Sequence, residues 1–176
     1  LHVTPELETA AAGVIEKENE QGGPWGFKDP RTTLTYPFWR PLLDEHRILA
    51  IYRHPLELWR HYRKNKSTAD PWPVLKNWRH YSNCMVQYIR ETSEPWAVFS
   101  FRNLLRSDTH WAALSRFVER DLVDERRPET VRFSRDWRDR LRPWALTSGF
   151  YSDYAWRTAL RELERLERQT LRTYSQ

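Results

Sequence analysis

Five consecutive apolar residues, Ile48-Leu49-Ala50-Ile51-Tyr52, run directly into Arg53-His54-Pro55-Leu56-Glu57, and this junction restricts the possible folds more than any other segment. A short unbroken run rich in β-branched and aromatic side chains suits a strand covered on both faces, as in the parallel sheets of α/β proteins. A buried helix could carry the same run. Pro55 favours the strand, because proline disfavours helical geometry at His54 and fits the first position of a new helix. That helix, Leu56 to about Lys66, would offer unpaired backbone N–H groups and the positive end of its dipole beside Arg53. Arg53 then sits at the carboxyl end of a strand, where ligands of open α/β sheets gather. Its rigid guanidinium fork matches two phosphate oxygens at once. The competing reading is a strand-end arginine paired to a carboxylate such as Glu57.

The rest of the chain reads mainly as helix. Pro5 to about Asn19 is a predicted helix, closed by the turn-rich Gln21-Gly22-Gly23-Pro24. Thr35 to His46 has helical spacing at Phe38, Trp39, Leu42 and Leu43; Pro37 fits a first turn and Pro41 should kink the helix or mark a late start. Asp70-Pro71 reads as a capped start for a helix with Val74, Trp78, Tyr81, Met85 and Tyr88 on one core-facing stripe. Ala97 to Phe101 is the second predicted strand, and Ser107 or Asp108 caps a helix with Trp111, Leu114, Phe117, Val118 and Leu122 inward. Strand, helix, strand and helix joined by crossovers predict a parallel sheet with helices on its faces. Two strands are too few for an independent open sheet, so further N-terminal strands or a partner's strands are expected.

The C-terminal third is basic. From Arg126 to Arg142, Phe133 and Trp137 lie among Arg132, Arg135, Arg138, Arg140 and Arg142, diluted by Asp136 and Asp139. Such interleaving can bind single-stranded nucleic acid, although charge runs are more often solvated faces of surface elements. Trp156, Leu160, Leu163 and Leu166 share a face of a last predicted helix, with Glu164 and Arg168 as an i,i+4 pair.

Lysines and arginines exceed acidic residues by 29 − 24 = 5 in 176 residues. That sign fits a sulfated donor, nucleic acid, an acidic glycan or a membrane headgroup alike. With 39% hydrophobic residues, one domain over 1–176 is expected, and ten tryptophans supply buried area that a polar chain otherwise lacks. Cys84, the single cysteine, excludes an intrachain disulfide and is expected to be buried. No stretch is apolar enough to cross a bilayer and no signal core is seen, so a cytoplasmic location is the expectation.

Trp25-Gly26-Phe27-Lys28-Asp29-Pro30-Arg31-Thr32-Thr33, then Phe38-Trp39 and Leu42-Leu43, then Ile51 to Glu57, resemble the bacterial-type sulfotransferases that use 3′-phosphoadenosine 5′-phosphosulfate. The likeness runs from about Trp25 to Arg106, leaving 107–176 as a helical C-terminal part. It implies a P-loop-like sulfotransferase fold, a parallel sheet flanked by helices, incomplete at the N-terminus. It further implies that Arg53 grips the nucleotide's 3′-phosphate. His61 stands where the family has a serine, and its imidazole can also donate to phosphate. The resemblance places Lys28 near the transferring sulfonate, where an ammonium stabilises the leaving oxygen, and makes Arg31 the next anion contact. The alternative for Lys28 and Arg31 is solvated turn residues around Pro30. The implied reaction is sulfonate transfer to a hydroxyl or amine of a small-molecule or glycan acceptor, with no metal required.

Departures from the family accompany these matches. None of Gly13, Gly22, Gly23, Gly26 and Gly149 forms the glycine-rich loop that cradles a 5′-phosphosulfate, and Arg102 stands where the family places an acidic residue. The chain begins with Leu1, so a truncated, processed or degenerate relative is expected, active only in its intact parent or retained as a non-catalytic anion-binding module. A basic, aromatic nucleic-acid binder centred on Arg132 to Arg142 is the third reading, and a homo-oligomer is compatible with each. The six histidines show no metal-ligand spacing. His46, His54 and Glu57 are candidate general bases near the proposed site.

Overall fold

The computed structural model describes residues 3–66, 72–127 and 154–175, which form two compact units, Leu1–Arg47 and Ile48–Gln176. In the first unit, helix α1 (Pro5–Glu20) starts at Thr4, whose Oγ1 accepts the Leu7 N–H at 3.4 Å. Glu6 and Glu8 in its first turn face the positive end of the dipole, and Ala11 and Ile15 are its buried residues. The following turn needs its glycines, since Gly22 and Gly23 adopt φ of 71° and 82°. Helix α2 (Thr32–Trp39) begins three residues ahead of the predicted Thr35. Asp29 is the cause: its carbonyl accepts the Thr32 N–H at 2.9 Å and its Oδ1 the Arg31 N–H at 2.8 Å, so the chain turns early. Pro37 therefore lies inside α2, and Pro41 falls in a single 3₁₀ turn, Arg40–Leu42, where the helix ends.

The second unit is α/β, mostly helical around a small sheet. Strands β1 (Ile48–Tyr52) and β2 (Trp96–Ser100) pair in parallel, in register from Ile48 opposite Trp96 to Tyr52 opposite Ser100. The crossover between them carries α3 (Pro55–Lys66) and α4 (Trp72–Glu91). After β2 come α5 (Phe101–Arg106), α6 (Asp108–Val118), capped by Ser107, and the final helix α7 (Tyr154–Tyr174). The proposed cap at Asp70-Pro71 and the segment beyond Arg127 through Arg142 lie outside the described residues, as does Gly149.

Each face of the sheet has its own apolar cluster. Ala50, Tyr52 and Val98 pack with Leu75, Trp78, Val86 and Ile89 of α4 and with Trp156, Ala159, Leu163 and Leu166 of α7. Ala97 and Phe99 pack with Leu104 of α5 and Ala113, Leu114 and Phe117 of α6. The expectation of strands covered on both faces holds for β2, where Ala97, Val98 and Phe99 are 0% exposed, but not for β1, where Leu49 and Ile51 are 42% and 46% exposed. Among the described residues the second cluster draws on β2 alone, which leaves that face of β1 without a cluster of its own.

Two further expectations shift. The buried residues of α4 are Leu75, Trp78, Ser82, Val86 and Ile89, and Val74, Tyr81, Met85 and Tyr88 are half-buried at its rim. Tyrosines keep their hydroxyls near water, so they flank the contact that the smaller side chains make. Cys84 is likewise half-buried rather than buried.

Helix α7 also closes one margin of the sheet. Ile48 N–H donates to the Pro95 carbonyl at 2.9 Å, which fixes the ladder's alternation and turns the Val98 and Ser100 N–H groups away from β1. Both are taken by α7 side chains: Val98 N–H donates to Thr170 Oγ1 at 2.9 Å and Ser100 N–H to Glu167 Oε1 at 2.7 Å. Thr170 and Glu167 are polar residues on a buried face, 1% and 6% exposed, and these bonds explain their presence there.

Candidate functional site

Arg53 leaves the carboxyl end of β1 as an exposed side chain two residues before α3 begins. Its guanidinium carbon lies 4.0 Å from the centroid of the Phe101 ring, a cation–π contact. Its carbonyl accepts the Trp78 indole N–H at 2.8 Å, so the backbone at this corner is pinned to α4. Pairing with Glu57 does not describe this residue's neighbourhood: Glu57 forms an ion pair with Arg102. The arginine at the position where the resemblance expects an acid is thus the partner of the first carboxylate of α3.

The start of α3 differs from expectation. Leu56 N–H donates to His54 Nδ1 at 3.3 Å, and the Glu57 and Leu58 N–H groups donate to the His54 carbonyl at 2.9 and 3.1 Å. The groups expected to await a ligand are satisfied by His54 acting as the cap, and an anion at Arg53 relies on the guanidinium.

A cavity of about 590 Å³ opens at the carboxyl ends of both strands, lined by Tyr52, His54, Glu57, Ser100, Arg102, Asn103 and His110 and by Leu160, Glu164, Glu167 and Arg168 of α7. Arg53 is not among its lining residues, although its neighbours Tyr52 and His54 are. Glu167 is the hub of the wall. It accepts the Tyr52 hydroxyl at 2.8 Å, the Ser100 N–H at 2.7 Å and the Asn103 Nδ2 at 3.1 Å. Burial first, and the Glu167 charge second, push the Tyr52 hydroxyl far above its ordinary range. Tyr52 is therefore a fixed donor, not an acid–base group. The expected Glu164–Arg168 ion pair is not formed; both side chains line the cavity instead.

His110 joins the network from α6. Its Nδ1 is 2.8 Å from Ser107 Oγ and its Nε2 is 3.4 Å from Glu167 Oε1. Burial lowers its pKa below 6.5, outweighing the opposing pull of Glu167, whose Oε1 already accepts two bonds. The unfolded chain then protonates before the folded one as pH falls. The stabilisation is fully present above about 6.5 and is lost as pH drops from there through the lower folded-state value. Urea midpoints are expected to fall between neutral pH and pH of about 5, and His110→Gln to flatten that fall; an unchanged pH dependence in His110→Gln assigns the effect elsewhere.

The other sequence-derived residues divide between the units. Lys28 and Arg31 belong to Leu1–Arg47, Arg53 and His61 to Ile48–Gln176. Lys28 is exposed and precedes the Asp29 turn. Arg31 folds back on that turn, its Nη2 lying 2.5 Å from Asp29 Oδ2 and its Nε 3.0 Å from Oδ1. Arg31 holds the Asp29 carboxyl down at about 2, so the fork's nearest anion is its own neighbour. His61 is exposed within α3, its ring edge-on to Tyr62, about 9 Å along the axis from Pro55 at 1.5 Å per residue. His46 is structural: Nδ1–H donates to the Asp44 carbonyl at 3.0 Å, leaving Nε2 to accept the Tyr36 hydroxyl at 2.9 Å. Arg126 is also structural, bonded to Asp108 and Asp124 at 2.6 Å each.

Glu167, Asn103 and His110 escaped sequence reasoning. Glu167 carried a signal: it is an acid set among Leu163, Leu166 and Thr170 on the apolar face of an amphipathic helix, a position that only a buried donor set explains. Among the described residues no group of three or more His, Cys, Asp or Glu side chains is arranged to hold a metal ion, and no helix is long and apolar enough to cross a membrane. No family model, curated protein or solved structure matches this chain.

Proposed function

We propose that this chain carries the 3′-phosphate-gripping part of a sulfotransferase-like nucleotide site. Arg53 is the phosphate anchor, with His61 as a further anion contact on the same unit. The reaction is transfer of a sulfonate from 3′-phosphoadenosine 5′-phosphosulfate to an acceptor hydroxyl or amine. One observation carries the reading: an exposed guanidinium at the carboxyl end of a parallel strand, 4.0 Å from the Phe101 ring centroid, with Glu57 engaged by Arg102. The parallel β1–crossover–β2 arrangement supports it, since ligands collect at that end of such sheets.

A non-catalytic anion-binding module is the second reading. It is favoured by the occupied N–H groups at the start of α3 and by the lack of a glycine-rich cradle in this sequence. Calorimetry with adenosine 3′,5′-bisphosphate tests what the two share. Arg53→Ala is expected to weaken binding at least about tenfold, the value of one or two charge-assisted hydrogen bonds. Equal heats for both proteins remove Arg53 from the site. Transfer of label from the phosphosulfate donor then separates enzyme from binding module.

A further inference from the structure

Two contacts meet side by side at the start of α5. Phe101 takes the Arg53 guanidinium against its ring, with 4.0 Å between ring centroid and guanidinium carbon, and the next residue, Arg102, forms the ion pair with Glu57. Glu57 is itself only four residues from Arg53, across the corner between β1 and α3. Two guanidiniums and one carboxylate therefore share this corner. Arg102 holds the carboxylate, and among the described residues Arg53 has no ion-pair partner.

The Glu57 side chain is 15% exposed and that of Arg102 46% exposed. A carboxylate withdrawn that far from water is unfavourable without a cation beside it. Without Arg102, Glu57 has two other guanidiniums to turn to: Arg53 at its own corner, and Arg168 of α7, which lines the same cavity. Arg53 is already ordered by its contact with Phe101, so pairing with it sacrifices less side-chain freedom. An Arg53 fork engaged by Glu57 offers an incoming phosphate occupied N–H groups and a like charge beside them.

We infer that Arg102 is a positioning residue for anion binding at Arg53: by holding Glu57 it keeps the strand-end guanidinium open to phosphate. The inference rests on the reading of Arg53 as the phosphate anchor. Arg102 touches no phosphate itself, and its effect passes through Glu57.

Calorimetry with adenosine 3′,5′-bisphosphate at about 0.1 M salt tests this. Arg102→Ala is expected to weaken binding about fivefold, the competition of one partly exposed ion pair. Arg102→Lys keeps a cation for Glu57 and is expected to stay within about twofold of wild type. Arg102→Ala combined with Glu57→Gln removes the competing charge and is expected to recover to the same range. Glu57→Gln alone is expected to bind like wild type, because Arg53 is already open. If it instead tightens binding as much as Arg102→Ala weakens it, a general field effect is at work and the inference is overturned. A double variant as weak as Arg102→Ala overturns it too, since Arg102 then contacts the anion or supports the fold, which circular dichroism melting of each variant distinguishes. Wild-type binding in Arg102→Ala means that Glu57 settles elsewhere, and also overturns it. Arg53→Ala separates the two levels: weakened binding there beside an inert Arg102→Ala refutes the positioning role alone, whereas unchanged binding refutes the anchor and the inference with it.

Discussion

Glu167→Ala is expected to lower the stability of the Ile48–Gln176 unit by about 3 kcal/mol or more, from the cost of about 1–3 kcal/mol for each buried polar group left without a partner. The substitution orphans the Tyr52 hydroxyl, the Ser100 N–H and one hydrogen of Asn103 together. It also removes the group that ties α7 to the ends of both strands. Glu167→Gln separates charge from shape. Its carbonyl oxygen can keep the Ser100 and Asn103 bonds, while its NH₂ faces the Tyr52 hydroxyl, whose oxygen can accept. A loss of about half the alanine value is therefore expected. Urea denaturation followed by tryptophan fluorescence measures both, and an alanine loss below about 1 kcal/mol means that water satisfies the orphaned groups and the hub has been overvalued.

Phe99→Ala is expected to cost about 3–5 kcal/mol, the usual range for deleting a buried aromatic ring. Phe99 is 0% exposed and packs against α5 and α6, with its ring 6.5 Å from the His110 ring. Leu49→Ala on β1 provides the control. That side chain is 42% exposed, so about 1 kcal/mol or less should be lost. If the two substitutions cost the same, the two strands are equally covered in solution and the uneven burial of the sheet is refuted.

The elements were legible where one local signal sufficed. Pro55 after an apolar run placed the β1–α3 corner, and Ser107 marked the start of α6. Boundaries moved where a side chain intervened, as when Asp29 began the α2 turn early. The site was less legible because its assembly is non-local. Tyr52 meets Glu167 across 115 residues and Ser100 meets it across 67, and no spacing rule reaches that far. The choice by Arg102 of Glu57 as partner is non-local in the same way. The α4 stripe was misread by about one position: Trp78 is buried as expected, but Leu75, Ser82, Val86 and Ile89 take the places given to their neighbours.

The threonine hydroxyl and carboxylate that meet Val98 and Ser100 give the sheet a direction of growth. An incoming strand beside β2 would have to evict both acceptors and rehydrate a charge. Beside β1, the amides of Leu49 and Ile51 point outward between half-open apolar side chains. Accretion of any third strand is thereby steered to β1, by a helix more than a hundred residues further along the chain.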